Sequence, residues 1–309
     1  MSARSLSSRA IIGEFFLRLD QDLAGTWIPG VSREFQSDQE SETYKWLGMS
    51  PAMREWVGGR QPRGMRANGI TIPNKKYEST LEVTMDEIRR DKTGQVMIRV
   101  QEQAERANAH WASLLSTLII NGESTACYDG QYFFDTDHSE GDSGTQSNDI
   151  TNDITTTTAP TASELQASIL LATQAILGFK DDTGEPMNEN AREFLVMIPV
   201  PYLGAAATAL GATVISQTSN TLMALGSLGG FTYKLATNAR LTWTTKLAVF
   251  RTDGAMSALI RQSEEAVKIA AQAEGSAEEF NNDRHLYGIS ARRNVGYGYW
   301  QKACLVTHT

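Results

Sequence analysis

Asp135, Asp137 and His138 bring two carboxylates and an imidazole within four residues of one another. Oxygen and nitrogen donors of this kind bind divalent cations, and a bound cation could activate water for hydrolysis. The chain has only four histidines, which leaves few further ligands to complete such a site. We therefore interpret the segment as a polar turn after an aromatic strand, and keep a metal-dependent hydrolase as the alternative.

A second group of residues places Arg292 and Arg293 beside Tyr297, Tyr299 and Trp300. Bases stack on aromatic rings and arginines bind phosphate, so the segment has the residue types of a nucleic-acid platform. The net charge of -8 counts against that role, because phosphate binding depends on neutralisation by Lys and Arg. We expect instead a buried aromatic seam with the two arginines at a contact between subunits.

The remaining catalytic motifs are missing from the sequence. It has no phosphate loop, no nucleophile elbow, no paired histidines at metal spacing and no dinucleotide fingerprint. The glycines at 226, 229 and 230 lack the Lys-Ser/Thr of a phosphate cradle and indicate a loop. Cys127 and Cys304 are far apart, which favours two reduced thiols. The sequence therefore predicts no catalytic residue, no cofactor and no bound metal.

Length and hydropathy set the scale of the molecule. The chain has 309 residues, of which 41% are hydrophobic, so it can bury a core but is too long for a single one. No apolar run approaches the roughly 18 residues of a membrane span, and the first residues lack the apolar stretch of a signal peptide. We expect two lobes, in a protein made in the cytoplasm.

The first part of the chain, about 40 residues, is polar with scattered aromatic residues and glycine or proline breaks. This pattern predicts an extended arm that becomes ordered mainly against a neighbour. A short helix from Ile11 to Leu23, packed on its own domain, is the alternative.

Apolar and polar residues alternate between Arg60 and Arg90, with Pro73-Asn74 in the middle. Alternation with such a break predicts a long two-stranded hairpin whose turn is Pro73-Asn74. The hairpin is basic in an acidic chain, which indicates either a solvated face or a charged flap that docks on an acidic neighbour. Its basic residues are Arg60, Arg63, Arg66, Lys75 and Lys76.

The clearest helix of the sequence runs from about Thr93 to Asn121. Its apolar residues recur at steps of three and four, and Asn121-Gly122 supplies the stop. A helix of this length measures roughly 40 Å and therefore spans a whole lobe. The apolar positions are Met97, Val100, Ala104, Ala107, Trp111, Leu114 and Leu118.

The second half of the chain alternates helical and strand patterns, which is typical of an α/β lobe. Residues 139–161 are rich in Ser, Thr, Asp and Asn and indicate an exposed loop or crossover. Thr161 and Glu164 form a capping box for the following helix. Later segments predict, in order, a strand from Phe194 to Ile198, a helix to Gly211, strands at 231–235 and 241–250, a helix from Met256 to Ala273, and a closing strand from Leu286 to Val306.

Three segments resemble the major head subunit of Mu-like phages and prophages. The first contains Tyr44 to Gly48, Pro51, Glu55 to Gly58 and Arg60; the second is Cys127 to Asp135 with His138; the third is Leu286 to Gln301. A weaker likeness covers Leu195 to Leu210, the strand, proline and helix unit. The segments are rich in aromatic residues and glycine and occur in the same order.

The resemblance implies an α+β protein with the HK97-like tailed-phage capsid fold. In that fold, a peripheral domain with a long spine helix and a sheet carries an N-arm and an extended loop, and a separate axial α/β domain follows. The implied divisions are an N-terminal arm at 1–45, a peripheral segment at 46–59, the extended loop at 60–90, the peripheral domain at 91–160, the axial domain at 161–253, and a return to the peripheral domain, with a helix and a strand, at 254–309.

The resemblance also implies a function, that of a major capsid protein whose copies form the pentamers and hexamers of an icosahedral shell around double-stranded DNA. Scaffolding protein, portal and an optional decoration protein would be its partners in the virion, without sequence-specific DNA binding or a membrane. Because the chain begins with the arm, scaffold is expected from a separate protein or from a removed segment. An encapsulin-like nanocompartment shell is the alternative within the same fold. The hypothetical interface residues are Arg60, Arg63, Arg66, Lys75, Lys76, Arg292 and Arg293.

Overall fold

The computed structural model describes residues 7–20, 26–45, 69–91 and 93–309. Within these ranges the α-helices are α1 (Ser8–Asp20), α2 (Ile28–Val31), α3 (Met85–Arg90), α4 (Gln95–Ile120), α5 (Ala162–Gly178), α6 (Leu203–Gly211), α7 (Thr221–Gly229) and α8 (Ala277–Asn282). The strands are β1 (Ser32–Gln36), β2 (Ser41–Tyr44), β3 (Ile70–Pro73), β4 (Lys75–Thr84), β5 (Asp149–Asn152), β6 (Glu193–Ile198), β7 (Val214–Ile215), β8 (Thr218–Ser219), β9 (Thr232–Thr237), β10 (Lys246–Arg251), β11 (Leu259–Gln272), β12 (Arg284–Tyr297) and β13 (Ala303–His308).

The long helix α4 confirms the spine helix predicted from the apolar spacing. It has 26 residues and ends at Asn121, as the sequence predicts. Its first turn is capped by Asp91, whose carboxylate accepts hydrogen bonds from the backbone of Gln95 at 3.0 Å and Val96 at 3.0 Å. These backbone hydrogen bonds lower the pKa of Asp91. The cap satisfies N–H groups that a helix start otherwise leaves unpaired.

The first half of α4 packs against a four-stranded sheet with strand order β1-β11-β12-β4. β4, β12 and β11 are antiparallel neighbours, and β1 joins β11 in parallel. Helix α1 lies along α4 and buries Ile11 and Phe15 in the same core. The helix alternative for the start of the chain is therefore confirmed for residues 8–20, where the arm prediction expected extended chain.

The predicted hairpin with its turn at Pro73-Asn74 is wrong in its pairing. β3 pairs with β2, and β4 pairs with β12, so the chain passes from one sheet to another at this point. Contacts with residues distant in sequence hold the change of direction: the Asn74 amide donates to Ser37 Oγ at 2.9 Å and to the Gln39 carbonyl at 2.7 Å. Proline at the end of β3 also lacks the N–H that would continue the ladder.

β2 and β3 form a separate antiparallel ribbon that rests on the four-stranded sheet. Tyr44 donates to Gln262 Oε1 at 2.8 Å, and the Gln262 amide donates to the Ile72 carbonyl at 3.1 Å. Ile72 packs directly over Gly296 of β12, where an added Cβ would collide with it. The connection between β2 and β3, including Arg60, Arg63 and Arg66, lies outside the described residues.

The helix predicted from Met256 to Ala273 is also wrong, since most of this segment is strand β11. Its apolar residues are spaced so that helical and extended patterns both fit them. Long-range pairing decides the outcome, because β11 has β12 on one side and β1 on the other. A strand with two neighbours satisfies its backbone groups as fully as a helix does, and packing overrides local propensity.

The second sheet has five strands in the order β5-β13-β10-β6-β9. Its central strands are apolar and almost fully buried, and α5 and α6 pack on it. The predicted capping box at Thr161 and Glu164 is present. Two of the five strands, β5 and β13, come from segments outside the range 161–253 predicted for the axial domain. The single closing strand predicted from Leu286 to Val306 is divided in the structure between β12 of the four-stranded sheet and β13 of the five-stranded sheet.

Two predicted loops have more structure than their composition indicates. Gly226 and Gly229 lie within helix α7, and Gly230 caps it with a φ of 67°. The Ser/Thr-rich segment contributes strand β5 and a fully buried side chain, Asn148. No helix among the described residues is long and apolar enough to cross a membrane.

Candidate functional site

The structure does not bring Asp135, Asp137 and His138 together as a metal site. Asp137 is exposed, and a hydrogen bond with the neighbouring Asp135 carboxyl raises its pKa. The Asp135 carboxylate accepts a hydrogen bond from the backbone of Tyr132 at 3.1 Å. The His138 ring, in contrast, is fully buried. The exposed Asp137 and the buried His138 therefore do not share a binding site.

The His138 ring is held on every side. Its Nδ1 lies 2.7 Å from Asp129 Oδ2, and its Nε2 lies 3.2 Å from Asn148 Oδ1. The ring stacks on Trp300 with 3.9 Å between centroids and an interplanar angle of 8°. Both ring nitrogens lie within hydrogen-bond distance of side-chain oxygens, so neither is directed at an open position.

Cys127, Asp129 and His138 are the closest approach to a metal-binding set in the described part of the chain. Their ligand atoms lie within 4.8 Å of one another. The Cys127 thiol donates to Asp129 Oδ1 at 3.0 Å, and burial raises the pKa of this thiol far above its ordinary value. A thiolate and a free imidazole are what a zinc ion would require. The three groups instead satisfy one another, so the arrangement is a hydrogen-bonded network that stabilises the turn.

Asn148 extends this network to the C-terminal part of the chain. Its amide donates to the Phe133 carbonyl at 2.8 Å and to the Trp300 carbonyl at 3.3 Å. Its own backbone carbonyl accepts a hydrogen bond from Leu305 in β13 at 2.8 Å. The network therefore connects two of the segments that carry the family resemblance. Sequence reasoning missed Asn148, which lies in a low-complexity stretch. Asp129 lies in the segment from Cys127 to Asp135 that carries the resemblance, but it was not singled out as a partner of His138.

The aromatic residues near the C-terminus form a buried seam, as predicted. Tyr297 stacks on Phe133 with 4.7 Å between ring centroids, and its hydroxyl donates to the Leu118 carbonyl at 2.8 Å. Tyr299 lies 5.9 Å from Tyr128 in an edge-to-face contact, and Trp300 is 1% exposed. Bases cannot stack on rings that are already covered, so these residues do not form a nucleic-acid platform.

The predicted interface residues within the described ranges lie side by side on β4 and β12. Lys75 is opposite Arg293 and Lys76 is opposite Arg292 in the antiparallel ladder. Both lysines are exposed. The Arg292 side chain is 45% exposed and forms ion pairs with Glu264 at 3.3 Å and Glu265 at 3.7 Å. That Lys75, Lys76 and Arg292 contact a neighbouring subunit stays a prediction.

Arg293 differs from its neighbours because its side chain faces α4. It is 6% exposed, and its guanidinium carbon lies 4.9 Å from the centre of the Trp111 ring. A cavity of about 150 Å³ opens beside it, between α4 and strands β4 and β12. Its polar and charged lining residues include Tyr77, Gln103, Arg106, His110 and Arg293.

His110, which lines this cavity, has a lowered pKa. Burial, together with the charges of Arg293 and Arg240, lowers the pKa of His110 to about 4. The imidazole is therefore neutral at physiological pH, and its ring contacts Tyr77 edge to face at 4.4 Å. Two arginines, Arg106 and Arg293, and one carboxylate, Glu78, line the cavity, in a chain whose net charge is -8.

The segments that contain the spine helix and the aromatic seam match a known family. A model of the Mu-like prophage major head subunit gpT covers residues 20–162 and 234–309, which together make up more than two thirds of the chain. The chain belongs to this family. The resemblance carried by the three sequence segments is thereby confirmed, and membership of a head-subunit family agrees with the prediction of a structural subunit.

Two curated relatives of the family are similar over part of their length. The chain is 35% identical over 124 residues to the Mu-like prophage FluMu major head subunit of Haemophilus influenzae, a match that covers 40% of each chain. It is 38% identical over 108 residues to the major capsid protein of Escherichia phage Mu, covering 35% of each. The matched part thus spans well under half of these relatives.

The fold of this family member agrees with that of solved phage capsids. A subunit of the procapsid of bacteriophage JBD30 superposes with a TM-score of 0.56, 23% identity, and coverage of 98% of this chain and 77% of the other. The likeness confirms the α+β, HK97-like capsid fold predicted from the resemblance.

Proposed function

We propose that the protein is a major capsid protein whose copies assemble into the icosahedral head of a Mu-like tailed phage and enclose its double-stranded DNA. Membership of the major head subunit family carries the proposal, and a capsid fold over nearly the whole chain supports it. The buried, saturated network around His138 also fits a structural role, because it holds the chain together and offers no open position for a substrate.

Shell assembly depends on many contacts of modest strength that act together. Each new contact within a closing shell forms at high effective concentration, so the sum becomes far stronger than any single one. Surfaces suited to such contacts are present: five large apolar side chains on or next to α6, α7 and β7 are exposed. They are Val200, Leu203, Val214, Met223 and Leu228.

The β2–β3 ribbon is the proposed base of the extended loop. Its strands run antiparallel and are joined by residues 45–69, which include Arg60, Arg63 and Arg66. In the proposed shell this basic connection lies over a neighbouring subunit and pairs with acidic side chains there. The lobe with α4 and the four-stranded sheet then corresponds to the peripheral domain, and the lobe with the five-stranded sheet corresponds to the axial domain.

The partners of the proposed shell are scaffolding protein, portal and, optionally, a decoration protein, and assembly takes place in the host cytoplasm. Copies of the chain form both pentamers and hexamers. DNA is enclosed without sequence-specific contacts, in agreement with the acidic net charge.

Electron microscopy of the expressed chain, alone and together with scaffolding protein, tests the proposal. We expect closed shells of uniform size. A preparation that stays monomeric under both conditions and hydrolyses a small molecule with stoichiometric bound metal would support the hydrolase instead. Shells that retain a protein cargo in place of DNA would support the nanocompartment.

A charge-reversal variant tests the role of the basic connection. Replacing Arg60, Arg63 and Arg66 by Glu is expected to abolish closed shells while the circular dichroism spectrum stays unchanged. The matched control replaces Arg9, Arg89 and Arg90 by Glu, which changes the net charge equally at other exposed positions. Normal shells from the first variant would refute docking by charge.

A further inference from the structure

The buried guanidinium of Arg293 has no hydrogen-bond acceptor within the described part of the chain. The residue is 6% exposed, its Nε is buried without a partner, and no described carboxylate forms an ion pair with it. Trp111 covers one face of the group but accepts no hydrogen bond in its plane. Burying this N–H without a partner is costly, and the terminal nitrogens of the guanidinium, which are not buried in the same way, have no carboxylate partner among the described residues. Such a group favours an anion that comes from elsewhere.

The acids nearest to Arg293 are engaged with other groups. Glu34 contributes to the local potential, but it pairs with Arg261 at 2.8 Å. Glu78 also lines the cavity, and its carboxylate accepts a hydrogen bond from Thr80 at 3.0 Å. Neither carboxylate neutralises the guanidinium of Arg293.

Further positive charge surrounds the same cavity. Arg106 on α4 lines it and is exposed, Lys75 faces Arg293 across the ladder, and Arg240 is close enough to affect His110. Among the described residues, no carboxylate forms an ion pair with any of these three cations. Their convergence in an acidic chain favours an anionic ligand.

The shape of the cavity indicates what kind of anion fits. Its floor is apolar, formed by Ala107, Val267, Ile289 and Ala291, and its volume is about 150 Å³. An apolar cavity of about this size accommodates a molecule such as benzene, so one Asp or Glu side chain can enter. The apolar floor suits the methylene stem of such a side chain, and the fork of Arg293 suits its carboxylate.

We propose that this cavity is a socket that receives a carboxylate side chain from a second copy of the chain. The inference rests on the proposed function, because a neighbouring copy is present at high effective concentration only in a shell. Charge complementarity favours a second copy as the source: the chain carries 36 acidic against 28 basic residues, whereas neither arginine that lines the socket, Arg106 or Arg293, forms an ion pair with a described carboxylate. The contact would stabilise the assembled state selectively, since the free subunit leaves Arg293 unpaired.

Substitutions at Arg293 test the socket. Arg293→Met removes the charge but keeps an unbranched side chain that can pack on Trp111, and Arg293→Lys keeps the charge but loses the planar fork. The matched control is Arg292→Met, one residue away on the exposed face. We expect Arg293→Met to fold as the unassembled subunit and to lower the yield of closed shells about tenfold or more, Arg293→Lys to be intermediate, and the control to match the unsubstituted chain.

Shells at the unsubstituted yield from folded Arg293→Met would overturn the inference. If that variant does not fold, Arg106→Met at the rim supplies the test by the same yield, because an exposed position does not affect the core. A high-resolution map of native shells provides the decisive measurement: a carboxylate of a neighbouring copy within hydrogen-bond distance of Arg293 supports the socket, whereas an empty cavity or a free anion there refutes it. An empty cavity or a free anion would be seen in shells that do form, so either result leaves the proposed function intact. A chain that forms no shells would refute the socket and the proposed function together.

Discussion

Arg251 and Arg293 are two arginines with the same exposed fraction, 6%, in different sheets of the molecule. Arg251, at the end of β10, donates to Asp253 at 2.5 Å and to Asn188 at 2.8 Å. Arg293, in β12, stacks on Trp111 and has an unpaired Nε. One buried cation is neutralised within its own chain, and the other is not.

The difference separates two uses of a buried charge. The surroundings of Arg251 are complete in a single subunit, because Asp253 supplies the opposite charge and Asn188 accepts a further hydrogen bond. The surroundings of Arg293 are completed only if an anion arrives. Burial alone therefore does not distinguish a structural arginine from a binding arginine, whereas the list of its hydrogen-bond partners does.

Replacement of Arg251 by Met is expected to have the largest effect on stability. It removes the cation that pairs with Asp253 and the donor to Asn188 Oδ1, and breaking a buried pair in this way costs about 3–5 kcal/mol. Urea unfolding of the unassembled subunit measures the change. The exposed Arg240→Met serves as the control and should change the free energy of unfolding by less than about 0.5 kcal/mol. If Arg251→Met lowered the free energy of unfolding by less than about 1 kcal/mol, the ion pair between Arg251 and Asp253 would contribute little to stability.

The pH dependence of stability sharpens the same comparison through Lys302, which lies beside Arg251. Burial and the charge of Arg251 lower the pKa of Lys302 to about 8. Below pH 8 both the folded and the unfolded chain hold the proton, so the full penalty of the buried charge is present. Between pH 8 and the ordinary lysine pKa only the folded chain releases it, so stability rises with pH. We expect this contribution to be about 1–2 kcal/mol between pH 8 and pH 10.

The variant Lys302→Met isolates that contribution. It should be more stable than the unsubstituted chain at pH 7, and the difference between the two should shrink as the pH rises to 10. Parallel unfolding curves at pH 7, 8, 9 and 10 provide the measurement. A difference that stays constant over this range would mean that Lys302 does not release its proton when folded.

Much of the fold could be predicted because local patterns decide it. The apolar stripe of α4 and the capping box of α5 depend on neighbours within one or two turns, so the sequence contains the whole signal. β11 and the Pro73-Asn74 connection depend on pairing with β12, which lies far along the chain. Periodicity cannot detect such partners, and both predictions failed there.

The candidate sites divide in the same way. The sequence identified Arg292 and Arg293 as a pair but could not show that successive residues of a strand point to opposite faces of a sheet with different surroundings. It also selected His138 with Asp135 and Asp137, whereas the folded turn pairs the imidazole with Asp129 and Asn148. Which side chains of a turn meet depends on the path of the backbone through it, and composition and spacing do not specify that path.

Replacement of Arg293 by Met should affect the unassembled subunit in the direction opposite to Arg251→Met. Because the guanidinium has no acidic partner to lose, we expect the free energy of unfolding to stay the same or rise by up to about 2 kcal/mol. Urea unfolding in parallel with Arg251→Met provides the comparison. A loss of more than about 2 kcal/mol would indicate that packing on Trp111 stabilises the subunit and would remove the contrast between the two arginines.

The smallest effect is expected for Arg292→Met. The Arg292 side chain is 45% exposed, and its ion pairs with Glu264 and Glu265 are screened by solvent, so they contribute about 0.5 kcal/mol or less. Salt should reduce even this difference, because exposed ion pairs are screened over about 10 Å at 0.1 M. Unfolding at 0.05 M and 0.5 M salt measures it. If Arg292→Met destabilised the subunit by more than about 1 kcal/mol independently of salt, adjacent positions on β12 would not be energetically distinct, and Arg292 could not serve as the control for Arg293.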